Sequence, residues 1–276
     1  MNYYTPLDIT RNYSDIGRAK ANYPTIQLLW MSIIGGLLIA FGAAAATTAT
    51  HAIENTGLVK MISGLLFPFG LGMIILLGVE LFTGNIMIII SVLENKTTLA
   101  KMLRNWSLVY LGNMIGAVLL AMGVAFFGQL EISGGQLAVV TVKIAAYKTA
   151  LPFANGIVLG IFANILVCIG VLISISGKDT ISRIAGAFIP VAFFVILGFE
   201  HSVANMYYIP AGLFSLQVPK YAALVAQAGV DISSLSWSGF LWQNLLPVTI
   251  GNIIGGLVVG VSMWYFQLKP TKSTAN

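Results

Sequence analysis

The stretch "GFEHSVANM", residues 198–206, lies in one of the most apolar parts of the chain yet carries Glu200, His201, Ser202 and Asn205. A carboxylate, an imidazole, a hydroxyl and an amide this close together can donate and accept hydrogen bonds, and the imidazole can also pass a proton. A second stretch, "GVELFTGNI" at 78–86, has the same skeleton: Gly78, Glu80 and Asn85 precede Gly198, Glu200 and Asn205 by a constant 120 positions. An ionisable group at mid-membrane depth costs about 2.5–3.5 kcal/mol on insertion scales, so each needs a use. His201 is read as a group that donates a hydrogen bond or a proton to a passing solute. Thr83 takes the facing place in the first stretch, where its hydroxyl and freed backbone amides could bind an anion or orient His201. Glu80 and Glu200 are expected to accept the orphan N–H groups of a half-helix that follows each break. Asn85 and Asn205 are expected to act as similar caps, with Ser202 part of the same break.

The elements that position these residues follow from composition. Apolar residues make up 58% of the 276, charged residues 8%, and mean hydropathy is +0.90. Soluble domains carry about 25% charged residues, so the chain reads as a multi-pass membrane protein in a lipid bilayer. The net charge of +5 comes from scattered basic residues between apolar runs, which argues for membrane orientation and against a nucleic-acid partner. Cys168 is the single cysteine, so no intramolecular disulfide can form. The beginning, "MNYYTPLDITRNYSDIG", has no short apolar core followed by a small-residue site, and a cleaved leader is not expected.

A crossing helix takes about 20 apolar residues. Six crossings are read, at 27–49, 57–93, 105–128, 151–175, 181–217 and 239–267, with the second and fifth interrupted near 81–85 and 199–205. Ten of the 14 Lys and Arg residues, among them Lys20 and Arg183, fall on one side, and Lys60, Lys143, Lys148 and Lys220 fall on the other. By the positive-inside rule both ends of the chain are cytoplasmic. Residues 1–26 are read as a cytoplasmic amphipathic segment lying on the surface, 27–268 as one six-span membrane domain, and 269–276 as a cytoplasmic tail.

"LGNMIGA" (111–117) and "IGNIIGG" (250–256) match as the two motifs do. Two halves of three spans, about 27–128 and 151–268, result. Because three is odd, the second enters the membrane inverted, and such repeats place a substrate path at their interface. The glycines of both blocks are read as close-packing faces. Lys148 follows a stretch, "QLAVVTVKIAAYK", that dips back toward the path, and Asn164 is a lone amide in an apolar span. Lys60, on the same side as Lys148, is expected to be a bystander. No catalytic signature occurs; an enzyme, a cofactor and a metal site are not expected.

"GVELFTGN", "GIFANILVCIGV" and "GFEHSVANMYYIPAG" resemble the blocks of the formate/nitrite transporter family, in the same order and over nearly the whole chain. The resemblance implies an all-α, aquaporin-like six-span bundle with broken second and fifth spans. It also implies a homopentamer in the inner membrane with one pore per subunit, and small monovalent anions as permeants. It carries the pore histidine onto His201, the loop threonine onto Thr83, the vestibule lysine onto Lys148 and an asparagine onto Asn164. The apolar constrictions fall on Leu81 and Phe82 and, toward the cytoplasm, on Phe67, Leu71 and Phe194. The chain looks most like the family's hydrosulfide channel. Formate or nitrite is the alternative permeant, and an aquaporin-like route for neutral solutes is a more distant one.

Overall fold

The computed structural model describes residues 3–269. Lys272 and the rest of the expected tail from 270 onward lie outside the described residues. Among these, regular structure is helical apart from one isolated antiparallel bridge between Tyr3 and Gly177. In chain order the helices are α1 (Pro6–Asn22), α2 (Thr25–Thr50), α3 (Thr56–Leu66), α4 (Phe69–Leu77), α5 (Phe82–Asn85), α6 (Ile89–Leu93) and α7 (Leu99–Phe126). They continue with α8 (Gln136–Thr149), α9 (Phe153–Ser176), α10 (Thr180–Leu197), α11 (Ser202–Ser215), α12 (Pro219–Gln227) and α13 (Leu246–Gln267). Among the described residues six segments are long and apolar enough to cross a membrane, one overlapping each crossing read from sequence; in the second and fifth only the part before the break, Thr56–Leu77 and Thr180–Leu197, qualifies.

Spans two and five are broken, but slightly earlier than the sequence pattern suggested. The breaks occupy 78–81 and 198–201, because Gly78 and Gly198 stop α4 and α10 with φ of +66° and +73°. Only glycine adopts this left-handed conformation without crowding its own Cβ. Gly78→Ala or Gly198→Ala should each cost about 1–2 kcal/mol and lower the thermal midpoint by a few degrees. Thermal unfolding of the detergent-solubilised protein measures this, and an unchanged midpoint in both variants would show the turns to be unstrained. A second, milder interruption separates α3 from α4 at Pro68, whose ring removes an N–H from the helix ladder.

The first helix departs from the surface-lying segment expected from its pattern. Thr5 caps α1 in a reciprocal box with Asp8, and the helix then docks into the bundle. Tyr13 Oη donates to the Gly84 carbonyl at 2.6 Å, and Ser91 Oγ donates to the Ser14 carbonyl at 2.7 Å. Tyr13, Ser14 and Gly17 are buried. The amphipathic stripe therefore faces protein and carries Lys20 to the break in span two.

Spans one and three pack closely at Gly36 and Gly116, and spans four and six at Gly160 and Gly251. A Cβ at any of these would meet the facing helix's backbone within normal contact distance. The glycines of the matched blocks thus act as packing faces, but the asparagine inside each block has a separate task.

Candidate pore site

The two breaks are built by the same hydrogen bonds in inverted copies. Asn113 Oδ1 accepts the Phe82 N–H at 2.9 Å, while its Nδ2 donates to the Ser32 and Glu80 carbonyls. Asn252 Oδ1 accepts the Ser202 N–H at 2.9 Å, while its Nδ2 donates to the Gly160 and Glu200 carbonyls. Unwound backbone survives at membrane depth only when its polar groups find such internal partners. Both asparagines sit in the "GN" of the matched blocks, where the small neighbours masked them.

The carboxylates do something other than the capping expected of them. Glu80 Oε1 pairs with Lys20 Nζ at 2.8 Å and its Oε2 accepts from Asn85 Nδ2 at 2.5 Å. Glu200 pairs with Lys148 Nζ at 2.8 and 3.0 Å and accepts from Asn205 Nδ2 at 2.6 Å. Asn85 and Asn205 are likewise not caps: each hands a second N–H bond to another amide, Asn105 and Asn244 respectively. Asn105 and Asn244 in turn donate to the backbone carbonyls of Lys20 and Lys148 at 2.9 and 2.8 Å. A buried carboxylate takes a lysine because an unpaired charge in this setting is costly to hold. Lys20, Asn105 and Asn244 were invisible as site residues in the sequence, since none belongs to the repeated motif.

Each cluster lines a cavity on its own side. The cavity nearer the chain ends, of about 220 Å³, is lined by Tyr13, Lys20, Glu80, Asn85, Arg183 and the apolar Leu71 and Leu81. The opposite cavity, of about 520 Å³, holds Lys148, Glu200, His201, Asn205, Phe67 and Phe194. This corrects the expected constrictions. Phe67 and Phe194 meet edge-on at 5.6 Å in the cavity remote from the chain ends, not on the side of the chain ends where the spacing had put them. At about 1.5 Å per residue, Phe67 lies roughly 16 Å back along the span from Gly78, which carries it to the other face. Leu71 keeps its expected side, Leu81 joins it there, and Phe82 lines neither cavity, packing instead on Tyr110 and Trp106. Lys60, expected to be a bystander, lines the larger cavity with Lys148.

His201, in the wall of the 520 Å³ cavity, meets Thr83, which lines neither cavity. His201 Nε2 is 2.9 Å from Thr83 Oγ1, and the Ala204 N–H donates to His201 Nδ1 at 3.1 Å. The imidazole thus caps α11 with one nitrogen. Because Nδ1 accepts, the hydrogen-bond pattern assigns the proton to Nε2, which donates to Thr83 and leaves the threonine O–H free to serve a solute. Phe194 stacks on the ring at 5.8 Å. Asn164 Nδ2 donates to the Thr83 and Asn252 carbonyls, so this amide fastens the two halves together, and its Oδ1 is buried without a partner. The Ser202 hydroxyl is also without a partner among the described residues, so Ser202 serves the break through its backbone. No group of three His, Cys, Asp or Glu side chains that could hold a metal occurs among the described residues.

The formate/nitrite transporter family model matches residues 7–266. The formate channel FocA of Escherichia coli (strain K12) is 32% identical over 269 residues, covering 96% of this chain and 94% of that protein. A probable formate transporter of Methanothermobacter thermautotrophicus is 34% identical over 286 residues, covering 97% of this chain and 98% of its own length. A solved pentameric formate channel with formate bound superposes with a TM-score of 0.76 at 32% identity, over 88% of this chain and 96% of that one. With a family match across nearly its whole length and relatives above 30% identity over nearly all of both chains, the chain belongs to the formate/nitrite transporter family.

Proposed function

We propose that this protein is a channel for small monovalent anions of weak acids, with formate as the first permeant to test, working as a homopentamer with one path per protomer. The observation that carries the reading is the arrangement along that path. A lysine-bearing cavity stands at each end, and between them lie apolar side chains and one polar pair, Thr83–His201. Formate is placed before hydrosulfide because the similar proteins named above are formate channels and transporters. A pentamer is supported by the pentameric neighbour. Membrane orientation, with both chain ends in the cytoplasm, rests on the distribution of Lys and Arg.

The steps follow from the side chains. Lys148 at one mouth and Lys20 at the other are each paired with a carboxylate, so what they offer an arriving anion is N–H donors held in place at the mouth. An anion entering the ring of Phe67 and Phe194, or of Leu71 and Leu81, loses hydration and gains little there. The Thr83 hydroxyl, held by the His201 Nε2–H, offers a donor next to these apolar side chains. In this tautomer His201 has no spare proton to give, so the proton on a weak-acid permeant is taken up from bulk solution, in the fraction that the pH and the permeant's own pKa set. This revises the expectation that His201 itself supplies it. The pH dependence of flux then belongs to the permeant, with uptake rising as the pH falls toward the permeant's own pKa.

Uptake into proteoliposomes of formate, nitrite, hydrosulfide, glycerol and ammonium tests the reading. Saturable formate uptake with little glycerol or ammonium uptake is expected. Glycerol or ammonium flux without formate flux would overturn it. Lys148→Ala should lower formate uptake by about tenfold by removing the charge at the mouth, and Lys148→Arg should restore most of it. Equal uptake in Lys148→Ala and wild type would remove the lysine from the mechanism.

A further inference from the structure

The mouth remote from the chain ends carries more positive charge than its carboxylate can balance. Lys60, Lys143 and Lys148 all line the 520 Å³ cavity, against Glu200 alone. Lys148 takes both oxygens of that carboxylate. Lys60 and Lys143 form no ion pair among the described residues, and both are solvent-exposed. Lys60 is close to the break: a Cβ built on Gly198 would lie 3.1 Å from Lys60 Nζ, and the lysine interacts electrostatically with both Lys148 and Glu200. Lys143 precedes Lys148 by five residues on the same helix, α8, and faces the same cavity. At the opposite mouth Lys20 and Arg183 line the cavity with Glu80, and there the lysine is paired while the arginine bonds the Gly177 carbonyl.

We propose that Lys60 and Lys143 form an outer anion-binding site, selective for small monovalent carboxylates and similar anions, that collects the permeant before it reaches Lys148. It rests on the anion-channel reading above and adds an asymmetry to it, because the opposite mouth has no matching pair of uncommitted lysines among the described residues. Two exposed ammonium groups above a low-dielectric constriction concentrate anions there, and salt screens that effect over about 10 Å at 0.1 M. The site therefore sets the KM for entry from this mouth and leaves the later passage past His201 unchanged. A different assignment for Lys60, as a counter-charge to the C-terminal end of α10 near Gly198, would act on stability and not on KM.

The test compares wild type with Lys60→Gln, Lys143→Gln, the double variant and the double Lys→Arg variant in oriented proteoliposomes, with formate as probe. Lys220→Gln serves as the control. Lys220 pairs with Glu131 on the same face but lies outside the cavity, so its loss changes the bulk charge equally. At low salt the double Gln variant should raise the KM for entry at this mouth by about fivefold, with maximal rate and exit from the other mouth unchanged. The increase should fade at high salt, and the Arg variant should restore the wild-type KM. An unchanged KM, or the same rise in Lys220→Gln, overturns the proposal. Broadening of the formate carbon NMR signal by the solubilised protein gives a second readout that needs no transport. If it weakens in the double Gln variant while wild type conducts no anion, the site stands and the channel reading falls. Equal broadening by wild type and the double Gln variant overturns the site.

Discussion

Replacing His201 with Phe is expected to lower formate uptake by about a hundredfold while leaving the fold and its helices in place. Phenylalanine keeps the stacking on Phe194, where the rings lie 5.8 Å apart. It removes two polar functions at once: the Nδ1 acceptor that caps the Ala204 N–H and the Nε2–H that holds the Thr83 hydroxyl. Losing a helix cap costs about 1 kcal/mol, which a bundle of this size tolerates. The transport cost is larger, because an anion stripped of water then meets an unoriented hydroxyl. A polar group left unsatisfied in such surroundings costs about 1–3 kcal/mol, and about 1.4 kcal/mol is a tenfold change in rate. His201→Asn makes a sharper comparison. Asparagine is a good cap and keeps an N–H, so part of the flux should return. Because the proton on the permeant comes from bulk solution and not from residue 201, His201→Asn should also keep the wild-type dependence on pH. Uptake of formate across a pH series for wild type and both variants decides this. Wild-type flux in His201→Phe would reduce the histidine to a helix cap. A flat pH profile in His201→Asn would return the proton to the imidazole.

Much of this architecture was legible in the sequence because the bilayer simplifies the problem. Six apolar runs had to be helices, and the repeated Gly-x-Glu-x4-Asn marked both interruptions to within a few residues, since polar side chains at that depth have few other uses. Lys148 and His201 line one cavity, and Thr83 and Asn164 join His201 and the break of span five through hydrogen bonds, as residues singled out by type and position. What the pattern hid was partner identity. Lys20 looked like one of many orientation-setting cations, and only the docking of α1 by Tyr13 and Ser14 shows that it reaches Glu80. Lys60 looked peripheral because its distance from Lys148 along the chain says nothing of the cavity they share. Phe67 was placed on the wrong face because ungapped spacing gives the order of residues along a span but not which end of it opens into which cavity. Asn113 and Asn252 were concealed by the glycines around them, which have a sufficient explanation of their own in close packing.

Those two asparagines carry the largest stability effects expected in the molecule. Asn252→Ala removes an acceptor from the Ser202 N–H and two donors, from the Gly160 and Glu200 carbonyls, at distances of 2.9, 2.9 and 3.0 Å. All lie where water has no access, as Asn252 is fully buried. At about 1–3 kcal/mol for each group left unpaired, with some relaxation of the break, the loss should be about 3–6 kcal/mol. Asn113→Ala should cost a similar amount through the Phe82 N–H and the Ser32 and Glu80 carbonyls. Asn252→Asp discriminates between the contributions: it keeps the acceptor for Ser202 and loses both donated bonds, so it should fall between wild type and alanine or, if the new carboxylate stays charged beside two carbonyls, below alanine. Asn252→Leu restores the volume without the hydrogen bonds, and it should be no more stable than alanine if the polar groups govern the cost. Thermal unfolding in detergent ranks the four proteins. A leucine variant as stable as wild type would mean that the broken span is held by packing alone, and the two inverted asparagine clamps would lose their part in keeping the path open at membrane depth.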